Sequence, residues 1–282
     1  MYEAHFGLRE KPFSILPDPR FLFLGREHRL AYSMLVYGIV DHAGFTVITG
    51  EIGSGKTTLV RKLIGELEDG VTMALISNTS FNAGKLVDWI MMAFNRPFED
   101  RSYPRLYSEL RQFLVDERRA GRRCVLVIDE AQNLDAERLE ELRMLSNVNV
   151  DEMLLQLVLV GQPELREMLS GPKMKQFAQR ISSNFHLGPL RREDAGGYFS
   201  YRLAVAGLTE REVFTRPAIT SIHQAANGIP RTINVIADRC LVYAFGEGGE
   251  IIGQRVVRKV LTDIKRYGGF ALTAETEEPA DA

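Results

Sequence analysis

The chain has 282 residues, of which 45% are hydrophobic and 26% charged, an ordinary globular composition that excludes collagen-like, mucin-like and fully disordered chains. Its formal net charge of −2 provides no global positive field for nucleic acid or a membrane surface, and its two cysteines cannot form a four-ligand zinc site. The apolar runs are too short for a membrane span and the N-terminus does not resemble a signal peptide, so we expect a cytoplasmic protein, with anchoring through a partner left open.

The first 40 residues predict an N-terminal arm and a helix. Residues 1–25 are rich in proline and phenylalanine and follow neither the strand period nor the helix period. The apolar positions from Glu27 to Val40 recur at helical spacing. We therefore expect residues 1–40 to pack as an arm and a helix on the domain that follows.

Strands and helices alternate over residues 41–190. The predicted strands are 45–49, 71–77, 124–128, 154–160 and 185–187, and the predicted helices are 57–67, 83–94, 103–120 and 135–145. Unbroken apolar runs such as Cys124–Ile128 are typical of strands that are covered on both faces. The alternation predicts an α/β domain with a parallel sheet between two layers of helices.

The pattern changes after Pro189. Residues 191–268 predict a small domain of four helices, at 192–205, 216–226, 231–245 and 254–266. Residues 269–282 are acidic and lack a core pattern, which predicts a disordered tail.

A phosphate-binding loop is the strongest local motif. The pattern G-x-x-x-x-G-K-[ST] is matched by Gly50, Glu51, Ile52, Gly53, Ser54, Gly55, Lys56 and Thr57, followed by Thr58. In such a loop backbone N–H groups bind phosphate oxygens, the lysine reaches the β- and γ-phosphates, and the threonine holds Mg²⁺. A predicted strand precedes the loop and a helix follows, which favours an ATP and Mg²⁺ site over a glycine-rich turn with an exposed lysine.

An acidic pair follows the predicted strand 124–128. In a parallel sheet, ligands bind where the strands end, so Asp129 suits a Walker-B residue that holds Mg²⁺. Glu130 suits a base that polarises the attacking water. The alternative is that the two acids only open the next helix. Because no acceptor site or second base stands out, hydrolysis is favoured over phosphate transfer to another substrate.

Four segments together resemble one family of ATPases. They are the loop, Asp129-Glu130-Ala131-Gln132, residues 158–165 and residues 228–234, joined by an opening signature around Phe6-Gly7-Leu8 and Pro17–Phe21. Over residues 1–265 the chain resembles the P-loop AAA+ ATPases of the ExeA or general secretion pathway protein A family, with relatives in MSHA pilus biogenesis and exosortase loci. The resemblance implies a five-stranded sheet of order 5-1-4-3-2 and a helical lid after it.

The resemblance also implies roles for four further residues. Gln162 would be sensor 1, and Asn78 would restrain the catalytic glutamate; each could instead be a turn residue. Arg180 matches the arginine finger that acts on a neighbouring subunit, against the alternative of a surface arginine. Arg231 would be sensor 2 and reach the phosphates of its own subunit, against the alternative of a capping or ion-paired arginine.

Three functions follow from these features. The favoured one is an ATPase that couples ATP turnover to homo-oligomerisation, in a ring for example, and to assembly of a secretion, pilus or polysaccharide-export machine. The second is a DNA-binding transposition regulator resembling TnsC, TniB and MuB, and the third is a slow nucleotide-dependent switch. The basic residues Arg255, Arg258, Lys259, Lys265 and Arg266 indicate a solvated charged face more than a DNA site. The best-known family members continue into a membrane segment and a periplasmic domain, so this sequence is expected to be closer to short, soluble relatives.

Overall fold

The computed structural model describes residues 1–40, 44–67, 70–77, 85–149 and 153–267. These residues pack as two compact units. One, the helical unit, comprises Met1–Glu27, Ile52–Gly55 and the chain from Pro189; the other, the sheet unit, comprises His28–Glu51 and Lys56–Gly188. Asn78 and the predicted tail 269–282 lie outside the described residues.

The strands and helices follow the predicted order along the chain. The strands are β1 Phe45–Gly50, β2 Val71–Ile76, β3 Arg123–Ile128, β4 Leu155–Gly161 and β5 Ile181–Leu187. The α-helices are α1 Glu3–Phe6, α2 Arg26–Val40, α3 Lys56–Glu66, α4 Leu86–Ala93, α5 Tyr103–Arg119, α6 Ala136–Leu145, α7 Pro163–Ser170, α8 Lys175–Ala178, α9 Ala195–Val205, α10 Arg216–Ala225, α11 Pro230–Gly246 and α12 Gln254–Tyr267. Among the described residues, none of these helices combines the length and apolarity needed to cross a membrane.

The sheet unit is built on one parallel sheet with the strand order β2-β3-β4-β1-β5. This confirms the predicted order 5-1-4-3-2 and the α/β fold class. All residues of β1 and β4 are buried, as expected for central strands that are covered on both faces. Asp135 caps the start of helix α6, and its carboxylate accepts the N–H of Arg138 at 2.8 Å.

A buried glutamine in β4 ties helix α2 to the sheet. Gln156 is 3% exposed, and its Nε2 donates to the carbonyl oxygens of Gly38 and Ile39, both at 3.1 Å. Arg123 donates to the same Ile39 carbonyl at 3.4 Å. The last carbonyls of a helix lack intrahelical partners, so these donors satisfy acceptors that would otherwise be buried without a bond. That requirement explains a polar residue in an otherwise apolar strand.

The N-terminal arm belongs to the helical unit, whereas helix α2 lies mainly in the sheet unit; packing of the arm on the sheet domain stays a prediction. Its aromatic residues Tyr2, Phe6, Phe13 and Phe21 are buried in one core with helices α9–α12. Residues 9–18 of the arm form neither helix nor strand, so their backbone groups need partners from elsewhere in the chain. The helical unit supplies these partners, which is the physical reason why the arm packs in that unit.

Arg202 of α9 is the main donor to the arm. It is 6% exposed, and its guanidinium donates to the carbonyl oxygens of Pro12 at 2.6 Å, Ser14 at 3.1 Å and Phe21 at 3.4 Å. The same group lies 5.0 Å from the centre of the Phe21 ring, within the range of a cation–π interaction. One side chain thus joins both ends of the arm's extended stretch to a helix.

We predict that Arg202→Met lowers the free energy of unfolding of the helical unit by about 2–5 kcal/mol, because it leaves buried carbonyl groups without donors. Urea unfolding and limited proteolysis of the arm measure the effect. Arg192→Met is the matched control, since Arg192 is exposed and its loss should cost under about 0.5 kcal/mol. Equal stability of the two variants would contradict the anchoring role of Arg202.

Candidate nucleotide site

The predicted phosphate loop lies between the end of β1 and the first residue of α3. Gly53 and Gly55 have φ of 80° and 103°, in the region that L side chains rarely adopt. At Gly53 a side chain is excluded twice, because an added Cβ would also lie 2.6 Å from the Cβ of Arg231. The loop is therefore wound as its glycines predict, and it leads into the N-terminal end of an eleven-residue helix, where anions are favoured.

Lys56 is folded onto the loop itself. It is 7% exposed, and its Nζ donates to the carbonyl oxygens of Gly50 at 2.6 Å and Glu51 at 2.9 Å. Burial lowers the pKa of the ammonium, and the charges of Glu130 and Asp129 oppose that shift. A buried ammonium has already lost most of its hydration. Its binding to a phosphate oxygen is therefore more favourable in free energy than that of an exposed lysine, which must first lose its water.

Thr57 and Asp129 form the candidate metal pair. The Thr57 hydroxyl donates to Asp129 Oδ2 at 2.7 Å, so the start of α3 meets the end of β3. Asp129 is 3% exposed; burial raises its pKa, while the hydrogen bonds from Thr57 and from the Glu130 N–H favour the ionised form. A hydroxyl and a carboxylate are the hard oxygen ligands that Mg²⁺ prefers, and Mg²⁺ commonly takes few protein ligands. The pair therefore fits Mg²⁺.

Glu130 turns the chain at the end of β3. Its φ of 55° and ψ of 39° are left-handed, a conformation uncommon for a residue with a side chain. Its Oε2 accepts Gln132 Nε2 at 2.6 Å and Gln162 Nε2 at 3.1 Å. The structure thus brings the predicted base and the predicted sensor Gln162 into direct contact.

Gln132 is the residue that the sequence analysis overlooks. Besides binding Glu130, its Oε1 accepts the backbone N–H of Gln162 at 3.0 Å. It occurs in the segment Asp129-Glu130-Ala131-Gln132, but only as part of a family motif without a role of its own. The signal that would have found it is an amide two residues beyond the candidate base, at the same sheet edge.

Arg180 lies between α8 and β5 and bonds to the end of α6 and the residues that follow it. Its guanidinium donates to the carbonyl of Arg143 at 3.2 Å, to the Ser146 hydroxyl and to Asn147 Oδ1 at 2.8 Å. These contacts hold it on the C-terminal end of α6, where cations are favoured. The finger role in a neighbouring subunit stays a prediction.

Arg231 lies in the first turn of α11, in the helical unit. Its backbone N–H donates to the Gly53 carbonyl at 3.1 Å. The sensor 2 role of its side chain stays a prediction, as does the role of Asn78, which lies outside the described residues.

Comparison with known proteins identifies the fold and a relative. A family model described as an AAA domain matches residues 40–169. General secretion pathway protein A of Aeromonas hydrophila is 42% identical over 254 residues, which are 89% of this chain and 46% of that protein. The chain thus spans just under half the length of the curated relative it matches.

Solved structures with the same fold include two ORC proteins and a Cdc6 protein. The ORC2 protein of Aeropyrum pernix, in ADPNP-ADP complexes, has a TM-score of 0.67 at 19% identity, covering 91% of this chain and 72% of that one. Cdc6p of Pyrobaculum aerophilum has a TM-score of 0.66 at 17% identity, covering 88% and 71%. The A. pernix ORC1 protein in complex with DNA has a TM-score of 0.64 at 17% identity, covering 91% and 70%. At these identities the likeness concerns the fold alone.

Proposed function

The chain belongs to the AAA+ ATPases of the general secretion pathway protein A type, and we propose that it binds ATP with Mg²⁺ and hydrolyses it to ADP and phosphate. The observation that carries the proposal is the hydrogen bond between Thr57 and Asp129. It joins the last residue of the phosphate loop to the carboxylate that follows β3, which supports a Mg²⁺ site at these two residues. A loop that only bound anions would not need that carboxylate.

The residues at the carboxyl edge of the sheet have separate roles in the proposed reaction. Loop N–H groups and Lys56 bind and orient the phosphates. Thr57 and Asp129 would hold Mg²⁺, which would supply positive charge to the phosphate oxygens. Glu130 accepts the proton of the water that attacks the γ-phosphorus, while the bond from that phosphorus to the bridging oxygen breaks.

We further propose that ATP turnover drives homo-oligomerisation and assembly of an envelope machine. The related protein is named for a secretion pathway, which supports partners of that class. Oligomerisation is supported by Arg180, whose predicted finger role requires a neighbouring subunit. Because hydrolysis needs a supply of ATP, the proposed place of action is the cytoplasm, with attachment to the envelope through a partner.

We predict that Lys56→Ala and Glu130→Gln fail at different steps. Lys56→Ala should lose both ATP binding and turnover, because it removes the cation on ground-state phosphates. Glu130→Gln should bind ATP within a few-fold of wild type but turn over about 100-fold more slowly, because it affects the attacking water. Binding of a fluorescent ATP analogue and phosphate release measure the two steps.

Lys62→Ala is the matched control for the lysine change. Lys62 lies on the same helix and pairs with Glu66 at 2.5 Å, so its loss should leave both steps unchanged. Wild-type turnover by Glu130→Gln would show that another group acts as the base.

A mixing experiment tests the subunit arrangement. Arg180→Ala and Lys56→Ala proteins should each be inactive, and their mixture should regain hydrolysis, because a Lys56→Ala subunit still offers Arg180 to an intact neighbouring pocket. Arg231→Ala mixed with Lys56→Ala should stay inactive, since the proposed role of Arg231 is in its own subunit. Sedimentation with ADP, ATP and a slow analogue provides the control for co-assembly.

The mixing result separates two roles for Arg180. No rescue despite co-assembly would assign it a structural role on α6, where its guanidinium lies. Rescue of the Arg231 mixture would instead make Arg231 the residue that acts on the neighbour.

Nucleic-acid binding is the second candidate function, and helix α12 is the observation that favours it. The helix buries Val257, Val260 and Ile264 and exposes a row of cations. These cations are Arg255, Arg258, Lys259, Lys265 and Arg266. Lys259 pairs with Glu247 at 2.5 Å, which reduces the charge that the face offers to phosphates. The net charge of −2 also favours the first function.

A salt titration with duplex DNA, with and without ATP, tests this candidate. If α12 binds the phosphate backbone, Arg255→Ala with Arg266→Ala should weaken binding and reduce the slope of log K against log salt by about 2. Arg111→Ala with Arg119→Ala, on the exposed face of α5, is the control of equal charge. Equal effects of the two pairs, or no salt-dependent binding, would exclude the α12 site.

A further inference from the structure

We propose that Gln132 is the positioning residue that holds Glu130 in its catalytic orientation, an inference that rests on the proposed hydrolysis. The two side chains lie in direct contact, with Gln132 Nε2 donating to Glu130 Oε2 at 2.6 Å. Neither the motif nor the comparisons assign Gln132 a role. Three independent features of the structure support this one.

The first feature is the strained backbone of the candidate base. Glu130 is left-handed, and a residue with a side chain keeps that conformation only where its surroundings hold it. Its N–H donates to Asp129 Oδ1 at 3.0 Å and its carbonyl accepts the N–H of Asn133, also at 3.0 Å. Those bonds hold the backbone, whereas the carboxylate is held by the amides of Gln132 and Gln162. Strain of this kind concentrates at functional sites.

The second feature is that the amide of Gln132 has a defined orientation. Its Oε1 accepts the backbone N–H of Gln162 at 3.0 Å, and a backbone N–H can only donate. The oxygen of the amide must therefore face Gln162, so its NH₂ group faces Glu130. The residue joins the end of β3 to the end of β4 and presents a donor, never an acceptor, to the carboxylate.

The third feature is the space left for Gln132 at Gly161. An added Cβ there would lie 3.0 Å from Gln132 Oε1 and 2.7 Å from a methyl carbon of Leu165. Gly161 does not have a positive φ, so the conformational freedom of glycine does not explain why a glycine occupies this position. The lack of a side chain allows the amide of Gln132 to pack against the end of β4.

These contacts give the carboxylate of Glu130 one orientation. Two N–H donors converge on Oε2, which fixes the plane of the group and its side-chain torsions. A general base works only when it is held within hydrogen-bond reach of the proton that it removes. Gln132 therefore acts through Glu130 on the attacking water, and does not itself contact the reacting atoms.

Two variants of Gln132 test this role in the full-length chain with ATP and Mg²⁺. Gln132→Met removes both bonds and should lower kcat about 10- to 100-fold, with KM for ATP changed less than threefold. Gln132→Glu keeps the acceptor for Gln162 but places a carboxylate beside that of Glu130. Two adjacent carboxylates share a proton, so the acid limb of the kcat profile should move to higher pH by about one unit or more.

Gln112→Glu is the matched control. Gln112 donates to Asp116 on the exposed face of α5 at 2.9 Å, so the change creates the same pair of carboxylates outside the candidate site. It should leave kcat and the pH profile at wild-type values. A merely structural role of Gln132 would lower stability or ATP binding but would not move the acid limb.

The outcomes distinguish this inference from the proposed function. Wild-type turnover by Glu130→Gln would overturn the assignment of the base, and the inference with it. An inactive Glu130→Gln beside Gln132 variants with wild-type kcat and pH profile would overturn the inference alone. If Gln132→Met fails to fold, Gln132→Glu tests the inference by itself, because glutamate has nearly the same size as glutamine. A Gln132→Glu protein with a lower kcat but an unshifted acid limb would also overturn the role.

Discussion

The hydrogen bond between the Thr57 hydroxyl and Asp129 connects parts of the sheet that are not neighbours. Thr57 follows β1 and Asp129 follows β3, and β4 lies between those strands. The bond can form only because all the strands are parallel and end at one edge. The same geometry places Gln162, which follows β4, within reach of Glu130. The whole candidate site therefore depends on the register of three central strands.

Burial of charge is the main cost of this arrangement. Lys56 and Asp129 are both nearly inaccessible, and burial moves the pKa of each toward its neutral form. The raised pKa of Asp129 means that the free energy of unfolding falls as the pH rises from the pKa of the unfolded chain to that of the folded chain. The lowered pKa of Lys56 means that the free energy of unfolding falls as the pH decreases from the pKa of the unfolded chain to that of the folded chain. A site with such groups is less stable than an apolar core of the same size, and it gains free energy when a ligand of matching charge binds. That loss of stability is typical of a binding site and not of a structural ion pair.

The sequence predicts the fold well because its signals are local. The apolar runs and the loop glycines each depend on a few adjacent residues, and the resemblance adds the strand order. The core that the arm shares with the C-terminal helices is not predicted, because nothing near Phe6 or Phe13 identifies a partner more than 180 residues later. Gln132 is overlooked for a similar reason. Its contact with Gln162 depends on the pairing of β3 with β4, which no short pattern contains.

The packing of the arm also has a consequence for synthesis of the protein on the ribosome. The aromatic residues of the arm emerge before the helices that cover them, which begin at Ala195. At about 5–20 residues per second, a gap of roughly 170 residues corresponds to a delay of roughly 10–30 seconds. During that time the sheet unit can form, while the arm presents uncovered aromatic side chains to chaperones and to other nascent chains. The helical unit is therefore the last part of the described chain that can complete its core.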